Sequence, residues 1–225
     1  MSSAPLADRP VALITGGQGS LAQAIATVLT DEGWLVDAPA KADLDVRDPA
    51  SIAARILGLE RLDLLVNNAA VRRDASLANL TESGWTEVME TNLRGVWRCC
   101  RASAPLMRRQ GGGHIVNIGS YTARHGVAGQ TAYGAAKAGL LALTQSLAAE
   151  WGPDNIRVNA VLPGWMPTHF NVDLPASAHE SARAQHYLNR FNTPQHTARF
   201  IAALHGMTNT SGQIFQLDSR PGSWL

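Results

Sequence analysis

The sequence predicts an α/β fold in which parallel strands alternate with helices, and three stretches support that prediction. The apolar run Val11 to Thr15 leads into the glycine-rich loop GGQGS and then into a segment with helical spacing of apolar residues. The run Leu62 to Val66 is apolar except for Asp63, and such runs are typical of strands covered on both faces of a parallel sheet. Residues 114–119 form a further strand pattern, and a long helical pattern extends from Tyr133 onward.

Length and composition favour one domain that acts on a small molecule. The chain has 225 residues, of which 45% are hydrophobic, and this is enough to bury a sizeable core in a single domain spanning 1–225. The formal net charge of +1 leaves no basic excess for binding nucleic acid or an anionic membrane. We therefore expect a small-molecule substrate and neither a nucleic-acid nor a membrane partner.

The cysteines, the histidines and the leader indicate a metal-free protein in a reducing compartment. Cys99 and Cys100 are adjacent in a helical pattern, and no other cysteine exists to bridge them or to build a zinc site. The seven histidines show neither H-x-x-x-H nor H-x-H spacing, so no metal site is expected. The leader MSSAPLADRP lacks the apolar core of a signal peptide. These patterns predict a soluble cytoplasmic protein.

One stretch, residues 120–137, brings together three side chains suited to proton transfer. Tyr133 and Lys137 lie one helical turn apart, so both project from the same side of the predicted helix. An ammonium near the phenol favours the phenolate and is expected to lower the tyrosine pKa. Ser120 follows a strand, at the edge where open α/β sheets bind ligands. Because Tyr-x-x-x-Lys also occurs in helices by chance, the rest of the chain has to support a catalytic role.

Further motifs along the chain resemble those of the short-chain dehydrogenase/reductase family. Members carry a serine about thirteen positions before Tyr-x-x-x-Lys, which Ser120 and Tyr133 match. The chain also contains Thr15-Gly16 at the start of a glycine loop, Asn67-Asn68-Ala69-Ala70 close to N-N-A-G, Asn92-Leu93-Arg94-Gly95 as N-x-x-G, and Pro163-Gly164 with Thr168 as P-G-x-x-x-T. The resemblance covers Val11 to Asp218. It implies a Rossmann-type doubly wound, mostly parallel sheet with helices on both faces.

The resemblance also implies catalytic roles. Tyr133 is expected to be the general acid in reduction and the general base in oxidation, while Ser120 holds the substrate oxygen. Lys137 is expected to lower the tyrosine pKa and bind the nicotinamide ribose, and Asn92 to orient a water linked to that lysine. The implied reaction is NAD(P)-dependent hydride transfer between nicotinamide and a carbonyl or secondary alcohol.

The glycine loop departs from the family pattern T-G-x-x-x-G-x-G, because Ser20 and Ala22 replace its two later glycines. A Ser-x-Ala in this place looks like the divergent enoyl reductase branch of the superfamily. Glycines let the backbone approach a pyrophosphate, the helix start binds its charge, and a serine hydroxyl can donate to a phosphate oxygen. We therefore predict that Gly16, Gly17, Ser20 and Leu21 bind the cofactor.

The remaining cofactor residues are predicted by position in the motifs. Lys41 follows the place of the family's ribose-binding acid, so it favours NADP over NAD, although it is equally expected as a solvated loop lysine. Asp45 and Val46 resemble the pair that lies beside the adenine. The other predicted cofactor residues are Asn67, Ala69, Tyr133, Lys137, Pro163, Gly164 and Thr168, whose hydroxyl suits the nicotinamide carboxamide.

The second and third strands are predicted close together in the chain. Residues 34–38, WLVDA, indicate the second strand, and residues 42–48, ADLDVRD, indicate a third. Most family members have a helix between them. Here we expect a shortened connection between strands 2 and 3.

The lid, the tail and the assembly are predicted mainly from the resemblance. Residues 165–193 are polar and partly helical, and they correspond to the family's substrate lid. The Gly-Gly that usually follows the last aspartate is Ser219-Arg220, which suggests a changed contact with another subunit. Family members commonly dimerise through the helix that contains Asn92 and the helix that contains Tyr133. A homodimer or homotetramer is therefore expected.

Two alternatives stay open at this point. Within the enzyme class, the substrate is either a 3-oxoacyl thioester or a free alcohol or sugar. Outside it, a catalytically inactive dinucleotide-binding sensor or scaffold would tolerate Ser20 and Ala22 in the glycine loop. The joint presence of Asn92, Ser120 and Tyr133 with Lys137 favours the enzyme.

Overall fold

All strands in the described part of the chain run parallel in one sheet. A computed structural model describes residues 8–168, 170 and 176–222, so part of the leader and part of the predicted lid lie outside the described residues. The strands are β1 (Val11–Ile14), β2 (Leu35–Asp37), β3 (Leu64–Asn67), β4 (Gly113–Ile118), β5 (Ile156–Leu162) and β6 (Ile214–Gln216). Their order across the sheet is β2-β1-β3-β4-β5-β6.

Helices cover both faces of this sheet. They are α1 (Ser20–Asp31), α2 (Pro49–Leu57), α3 (Glu82–Met89), α4 (Gly95–Arg109), α5 (Thr131–Trp151), α6 (Ala176–Ala184) and α7 (Pro194–Gly206). One core cluster joins α1 and α7 to Ala12 and Ile14 of β1. The other joins α2, α4 and α5 to Leu13. Successive side chains of a strand point to opposite faces, so β1 contributes to both cores and is apolar throughout.

The predicted doubly wound parallel sheet is confirmed. β1 pairs with β2 on one side and with β3 on the other, so the chain reverses its direction of progress across the sheet between these strands. In open α/β sheets, ligands bind outside the carboxyl ends of the strands at such a switch point. The fold therefore identifies one edge of the sheet as the place to look for a site.

The strand predicted at residues 42–48 does not form. The amides of Asp43 and Leu44 both donate to the Ala40 carbonyl, and the Asp48 amide donates to the Asp45 carbonyl, so local turns use the donors that a strand ladder would need. The apolar side chains of the segment are buried without strand pairing, because Leu44 and Val46 pack in the core beside α2. The connection after β2 is therefore a loop that leads directly to α2.

The continuous helical region from Glu82 to Arg109 contains a change of helical type. The Thr81 hydroxyl caps α3 by accepting from the Gly84 amide at 3.0 Å. Residues Glu90–Arg94 then form a π-helical turn before α4 begins. Such turns insert one extra residue and are common at functional sites. Here the turn contains Asn92, whose side chain is fully buried.

Two broader expectations are less fully addressed. In residues 8–168, 170 and 176–222, no helix combines the length and the apolarity needed to cross a membrane. The prediction of one domain over residues 1–225 stays a prediction, because it includes residues outside those ranges.

Candidate active site

A cleft of about 740 Å³ opens at the carboxyl edge of the sheet. Gly16, Asn68, Gly119 and Pro163 line it, and each lies within two residues of the end of β1, β3, β4 or β5, respectively. The cleft therefore lies at the switch point that the strand order indicates. Within the described residues, no group of three or more histidine, cysteine or acidic side chains is arranged to hold a metal ion.

Most of the predicted site residues line this one cleft. They are Gly16, Ser20, Leu21, Lys41, Asp45, Val46, Ala69, Ser120, Tyr133, Lys137, Pro163, Gly164 and Thr168. Three predicted residues are not part of its wall: Gly17, Asn67 and Asn92. The roles assigned to all of them stay predictions, but the fold brings the larger set together from distant parts of the chain.

Gly17 faces the loop after β2. Its amide donates to the Pro39 carbonyl at 2.9 Å, and a Cβ at this position would lie 2.0 Å from the Ala38 carbonyl oxygen. No side chain fits at that distance. The glycine thus holds the glycine loop against the backbone that leads to Lys41.

Asn67 is buried between strands. Its Nδ2 donates to Asn117 Oδ1 at 2.9 Å, and Asn117 Nδ2 in turn donates to the Thr144 hydroxyl of α5 at 2.9 Å. The neighbouring Asn68 links β3 to β1, since its Nδ2 donates to the Thr15 carbonyl at 3.1 Å. The side-chain amides of Asn67 and Asn68 therefore link β3 to β4 and β1, the strands that end at the cleft.

Asn92 bonds the backbone of a residue in the cleft wall. Its Oδ1 accepts from the Val71 amide and its Nδ2 donates to the Val71 carbonyl, both at 2.8 Å. Val71 lines the cleft. In this structure Asn92 holds the wall from behind, and its predicted water-orienting role stays a prediction.

Ser120 is oriented by a neighbour that sequence reasoning missed. It ends the β4 segment and precedes a 3₁₀ turn at Tyr121–Ala123. Its Oγ accepts from the Thr122 hydroxyl at 2.8 Å and from the Thr122 amide at 3.2 Å. Because both bonds use the oxygen as acceptor, the Ser120 hydrogen stays available for Tyr133 or for a substrate oxygen.

Tyr133 is protonated at neutral pH in this structure, contrary to the expectation of a lowered pKa. Burial raises the pKa of Tyr133 to about 12, although a hydrogen bond with Ser120 and the charge of Arg72 act in the opposite direction. The phenolate would lose its hydration in the cleft, and that cost exceeds the stabilisation by the Ser120 hydrogen bond and the Arg72 charge.

Lys137 is a buried cation beside the phenol. Its Nζ lies 5.8 Å from the centre of the Tyr133 ring and donates to the Ile118 carbonyl at 2.6 Å. Burial lowers the pKa of Lys137 to about 8. The predicted one-turn spacing of the pair is therefore realised, and the ammonium bonds the end of β4 rather than the phenol.

The start of α1 fits a pyrophosphate. Gly19 precedes the helix without a side-chain hydrogen bond to it, whereas Asp48, Thr81 and Thr193 cap α2, α3 and α7 with theirs. Gly16, Gly19 and Ser20 line the cleft at this point. Uncapped amides at a helix N-terminus form a ready anion site. The residues present therefore fit a dinucleotide with its phosphates against α1.

The other end of the cleft carries two cations. Lys41 and Arg47 both line it, together with Asp45 and Val46. Arg47 Nη2 contacts Asp45 Oδ2 at 2.7 Å, and this hydrogen bond lowers the pKa of Asp45 to about 2. Asp37, at the end of β2, pairs with Arg55 of α2 and is not part of the wall.

The turn after β5 brings the tail of the chain to the cleft. Gly164 has φ of +82°, and a Cβ there would lie 2.5 Å from Cβ of Asp218. The Pro163 carbonyl accepts from Asn192 Nδ2 at 2.7 Å. The Pro-Gly turn thus contacts both the end of the predicted lid and the residues that follow β6.

Sequence reasoning missed several residues of the wall. Arg47, Arg72, Thr122 and Arg220 all line the cleft. Arg47 had a signal, because it directly follows the predicted pair Asp45-Val46. Arg220 stood out only as a departure from Gly-Gly, and its place in the cleft depends on the path of the tail.

Comparisons with known proteins agree with this architecture. A family model described as Enoyl-(Acyl carrier protein) reductase matches residues 23–219. A 3-oxoacyl-[acyl-carrier-protein] reductase of Thermotoga maritima is 39% identical over 70% of this chain and 65% of that protein. The reductase of the same description from Vibrio cholerae is 32% identical over 86% of this chain and 88% of that protein. A probable galactose dehydrogenase of Rhizobium meliloti is 45% identical over 62% of this chain and 54% of that protein.

The family match covers most of the chain, including the strands that position Ser120, Tyr133 and Lys137. The same residues carry the family's motifs and lie together on the cleft wall. The chain therefore belongs to the short-chain dehydrogenase/reductase family and is an NAD(P)-dependent oxidoreductase that acts on a carbonyl or secondary alcohol group.

Proposed function

We propose that the chain interconverts a carbonyl compound and its secondary alcohol with Tyr133 as the general acid and base. The observation that supports this most directly is the meeting of Ser120, Tyr133 and Lys137 on the wall of one cleft beside the uncapped start of α1. A bound nicotinamide supplies or accepts the hydride. The side chains of the protein position the substrate and move the proton.

The proton steps follow from the hydrogen bonds at β4. In reduction, Tyr133 donates its proton to the substrate oxygen, because its raised pKa keeps the phenol protonated. The Ser120 hydroxyl, fixed by Thr122, donates to the same oxygen and stabilises the charge that develops there. Lys137 supplies a positive charge near the phenol, which favours the phenolate left after transfer. Asn92 keeps Val71 of the wall in place, and we propose that it also orients a relay water.

We propose NADPH as the preferred cofactor, with Lys41 and Arg47 facing the 2′-phosphate. Both cations line the adenosine end of the cleft. The nearest acid in β2, Asp37, is engaged by Arg55 and so is not available to a ribose hydroxyl. A cation at this position favours the phosphate, and an acid favours the hydroxyl.

Fluorescence titration with NADPH and NADH tests both the function and the preference. We expect NADPH to bind more tightly, and Lys41→Gln to weaken NADPH binding about 5-fold while NADH binding stays nearly unchanged, since an exposed charge pair is screened by solvent. Arg199→Gln on α7, an exposed arginine, is the control for loss of one positive charge. If neither NADPH nor NADH binds, the proposed function is wrong. If both bind equally tightly, only the proposed preference for NADPH is wrong.

Two substrate classes have support from relatives. The descriptions of the Thermotoga and Vibrio proteins name 3-oxoacyl-[acyl-carrier-protein], and that of the Rhizobium protein names galactose. The longer alignments belong to the reductases, so a 3-oxo substrate is the leading candidate. NADPH consumption with a panel of 3-oxoacyl thioesters, ketones and sugars separates the two classes.

We propose that the protein is a homodimer or homotetramer formed through α4 and α5, as expected from the family. Trp97 on α4 is 39% exposed, and the Arg101 guanidinium lies 4.9 Å from the centre of its ring. Exposed aromatic and arginine side chains are enriched at interfaces.

The two buried free thiols, Cys99 and Cys100, also support a reducing, cytoplasmic location.

Light scattering should report a mass of two or four times 24.0 kDa. Trp97→Glu should shift that mass towards the monomer, because it places a charge in the proposed interface. Leu57→Glu is the matched control, since Leu57 is 84% exposed at the end of α2. A monomeric wild-type protein would show that this assembly proposal is wrong.

A further inference from the structure

Arg220 places a guanidinium in the wall of the cleft near Ser120. Its side chain is only 8% exposed and lines the cavity with Tyr121 and Thr122. The guanidinium carbon lies 3.6 Å from the centre of the Tyr121 ring. Because Tyr121 directly follows Ser120, this cation lies at the end of the cleft where the substrate oxygen is expected to bind.

The position of Arg220 is fixed by the residues around it. Its Nε and Nη2 both donate to Asp218 Oδ2 at 2.6 Å, and Asp218 is 1% exposed. Gln216 Nε2 donates to Asp218 Oδ1 at 2.9 Å and to the Arg220 carbonyl at 3.1 Å. Ser219, which precedes Arg220, is also held in place, because its Oγ accepts from the Leu188 amide at 3.1 Å. A side chain ordered in this way loses little entropy when it binds a ligand.

Arg220 lines the cavity, and two of its three guanidinium nitrogens bond Asp218. Nε and Nη2 form the edge that faces buried Asp218, so the donors that remain for a ligand are those of Nη1 and the second hydrogen of Nη2. The flat face is covered by Tyr121. A planar guanidinium with a defined edge suits a carboxylate better than a sugar hydroxyl or a neutral thioester.

The charges of the wall support an anionic substrate. The described lining contains five cations, Lys41, Arg47, Arg72, Lys137 and Arg220, and two carboxylates, Asp45 and Asp74. Lys41 and Arg47 belong to the adenosine end, and Arg72 pairs with Asp74 at 3.1 Å. Arg220 differs from Arg47 and Arg72, because its carboxylate partner, Asp218, is not part of the cleft wall.

We infer that Arg220 is a specificity-determining residue that binds the carboxylate of an oxo acid, or of the corresponding hydroxy acid, while the oxo group lies against Ser120 and Tyr133. This inference rests on the proposed function. In reduction, the carbonyl carbon takes the hydride of NAD(P)H, which becomes NAD(P)⁺, and the carbonyl oxygen takes the Tyr133 proton. The carboxylate is unchanged. Such a substrate has the layout of a 3-oxoacyl thioester with a negative charge in place of the thioester.

Matched acids and esters test the inference. The rate of NADPH oxidation is measured with 2-, 3- and 4-oxopentanoate and with the methyl ester of each acid. We expect the wild type to prefer at least one acid over its ester by about 10- to 100-fold in kcat/KM, the range of one charge-assisted hydrogen-bonded contact. Arg220→Gln should abolish that preference mainly through KM, so that each acid and its ester react with similar kcat/KM. Arg220→Lys should retain part of it.

Two controls guard against a merely structural effect. Arg109→Gln at the exposed end of α4 removes a positive charge far from the wall and should preserve the acid preference. Arg220→Gln leaves Asp218 buried without its partner, which is itself destabilising. The double variant Arg220→Gln with Asp218→Asn removes both charges and should show the same loss of acid preference. Its NADPH affinity reports whether the cleft is intact.

Calorimetric titration of the same acids and esters into the protein with NADPH gives a readout that does not need turnover. Acids that bind more tightly than their esters, with the difference lost in Arg220→Gln, support the inference even if nothing is reduced, and in that case the proposed function fails. If no acid binds more tightly or reacts faster than its ester, the inference is wrong. It is also wrong if Arg220→Gln keeps the acid preference.

Discussion

Replacing Tyr133 with phenylalanine is expected to lower kcat about 10²- to 10⁴-fold, the usual contribution of a positioned general acid or base. The substitution removes only the phenolic hydroxyl. The ring keeps its contacts with the buried side chains of α3 and α5 around Val88 and Ala136. NADPH affinity should therefore stay nearly unchanged. The measurement is turnover and cofactor titration on the same preparation.

Tyr187→Phe is the matched control, because this tyrosine is 78% exposed and lies outside the wall of the cleft. It should leave both turnover and cofactor affinity as in the wild type. Retention of substantial turnover by Tyr133→Phe would show that the proton is handled by another group.

The pH dependence provides a second check on Tyr133. Burial raises the pKa of the phenol to about 12, so the protonated form needed for reduction dominates at neutral pH. Oxidation needs the phenolate, and its fraction grows as pH rises towards that pKa. The oxidation rate should therefore increase with pH above neutrality in the wild type, and this increase should be absent in Tyr133→Phe. An oxidation rate that falls as pH rises would contradict Tyr133 as the base.

Replacing Gly17 with alanine is expected to destabilise the fold strongly. The added Cβ would lie 2.0 Å from the Ala38 carbonyl oxygen and 2.9 Å from that of Pro39. Both are backbone atoms, so neither can rotate away, and the Gly17 amide would also have to leave the Pro39 carbonyl. Overpacking of this kind costs about 3 kcal/mol or more. For a domain of this size that corresponds to a melting temperature lower by about 6–12 °C.

The measurement is thermal unfolding without cofactor, so that loss of ligand binding does not contribute. Gly58→Ala is the control, since the nearest atom to a Cβ there is the Arg55 carbonyl oxygen at 3.5 Å, an ordinary contact. It should melt within a degree or two of the wild type, because a helical backbone accepts alanine readily. A Gly17→Ala protein as stable as Gly58→Ala would show that the loop after β2 can move aside.

Local patterns predicted most of the helices and strands because those patterns depend on neighbouring residues. The helical patterns predicted after the glycine loop and from Tyr133 onward both correspond to observed helices. The segment 42–48 had the alternation of a strand but formed turns. Alternation reports which side chains become buried, and Leu44 and Val46 are buried without a partner strand.

The candidate site was predictable where a motif carries a chemical group and less so where a neighbour decides its environment. Tyr133 and Lys137 lie one turn apart because helix geometry requires it. The pKa of Tyr133 could not be inferred in the same way, since it depends on burial by residues from other elements, which outweighs the hydrogen bond with Ser120 and the charge of Arg72.

The sequence by itself determined the parallel α/β sheet, the family and the set of side chains available for proton transfer, because apolar periodicity and motif spacing are local properties of the chain. Only the tertiary structure decided which of these residues face the cleft. Gly17 and Asn92 bond backbone outside the wall and Asn67 bonds the Asn117 side chain, while Arg220, paired with Asp218 in the tail, enters the wall. Those directions depend on packing between segments far apart in the chain, and spacing along the sequence does not encode them.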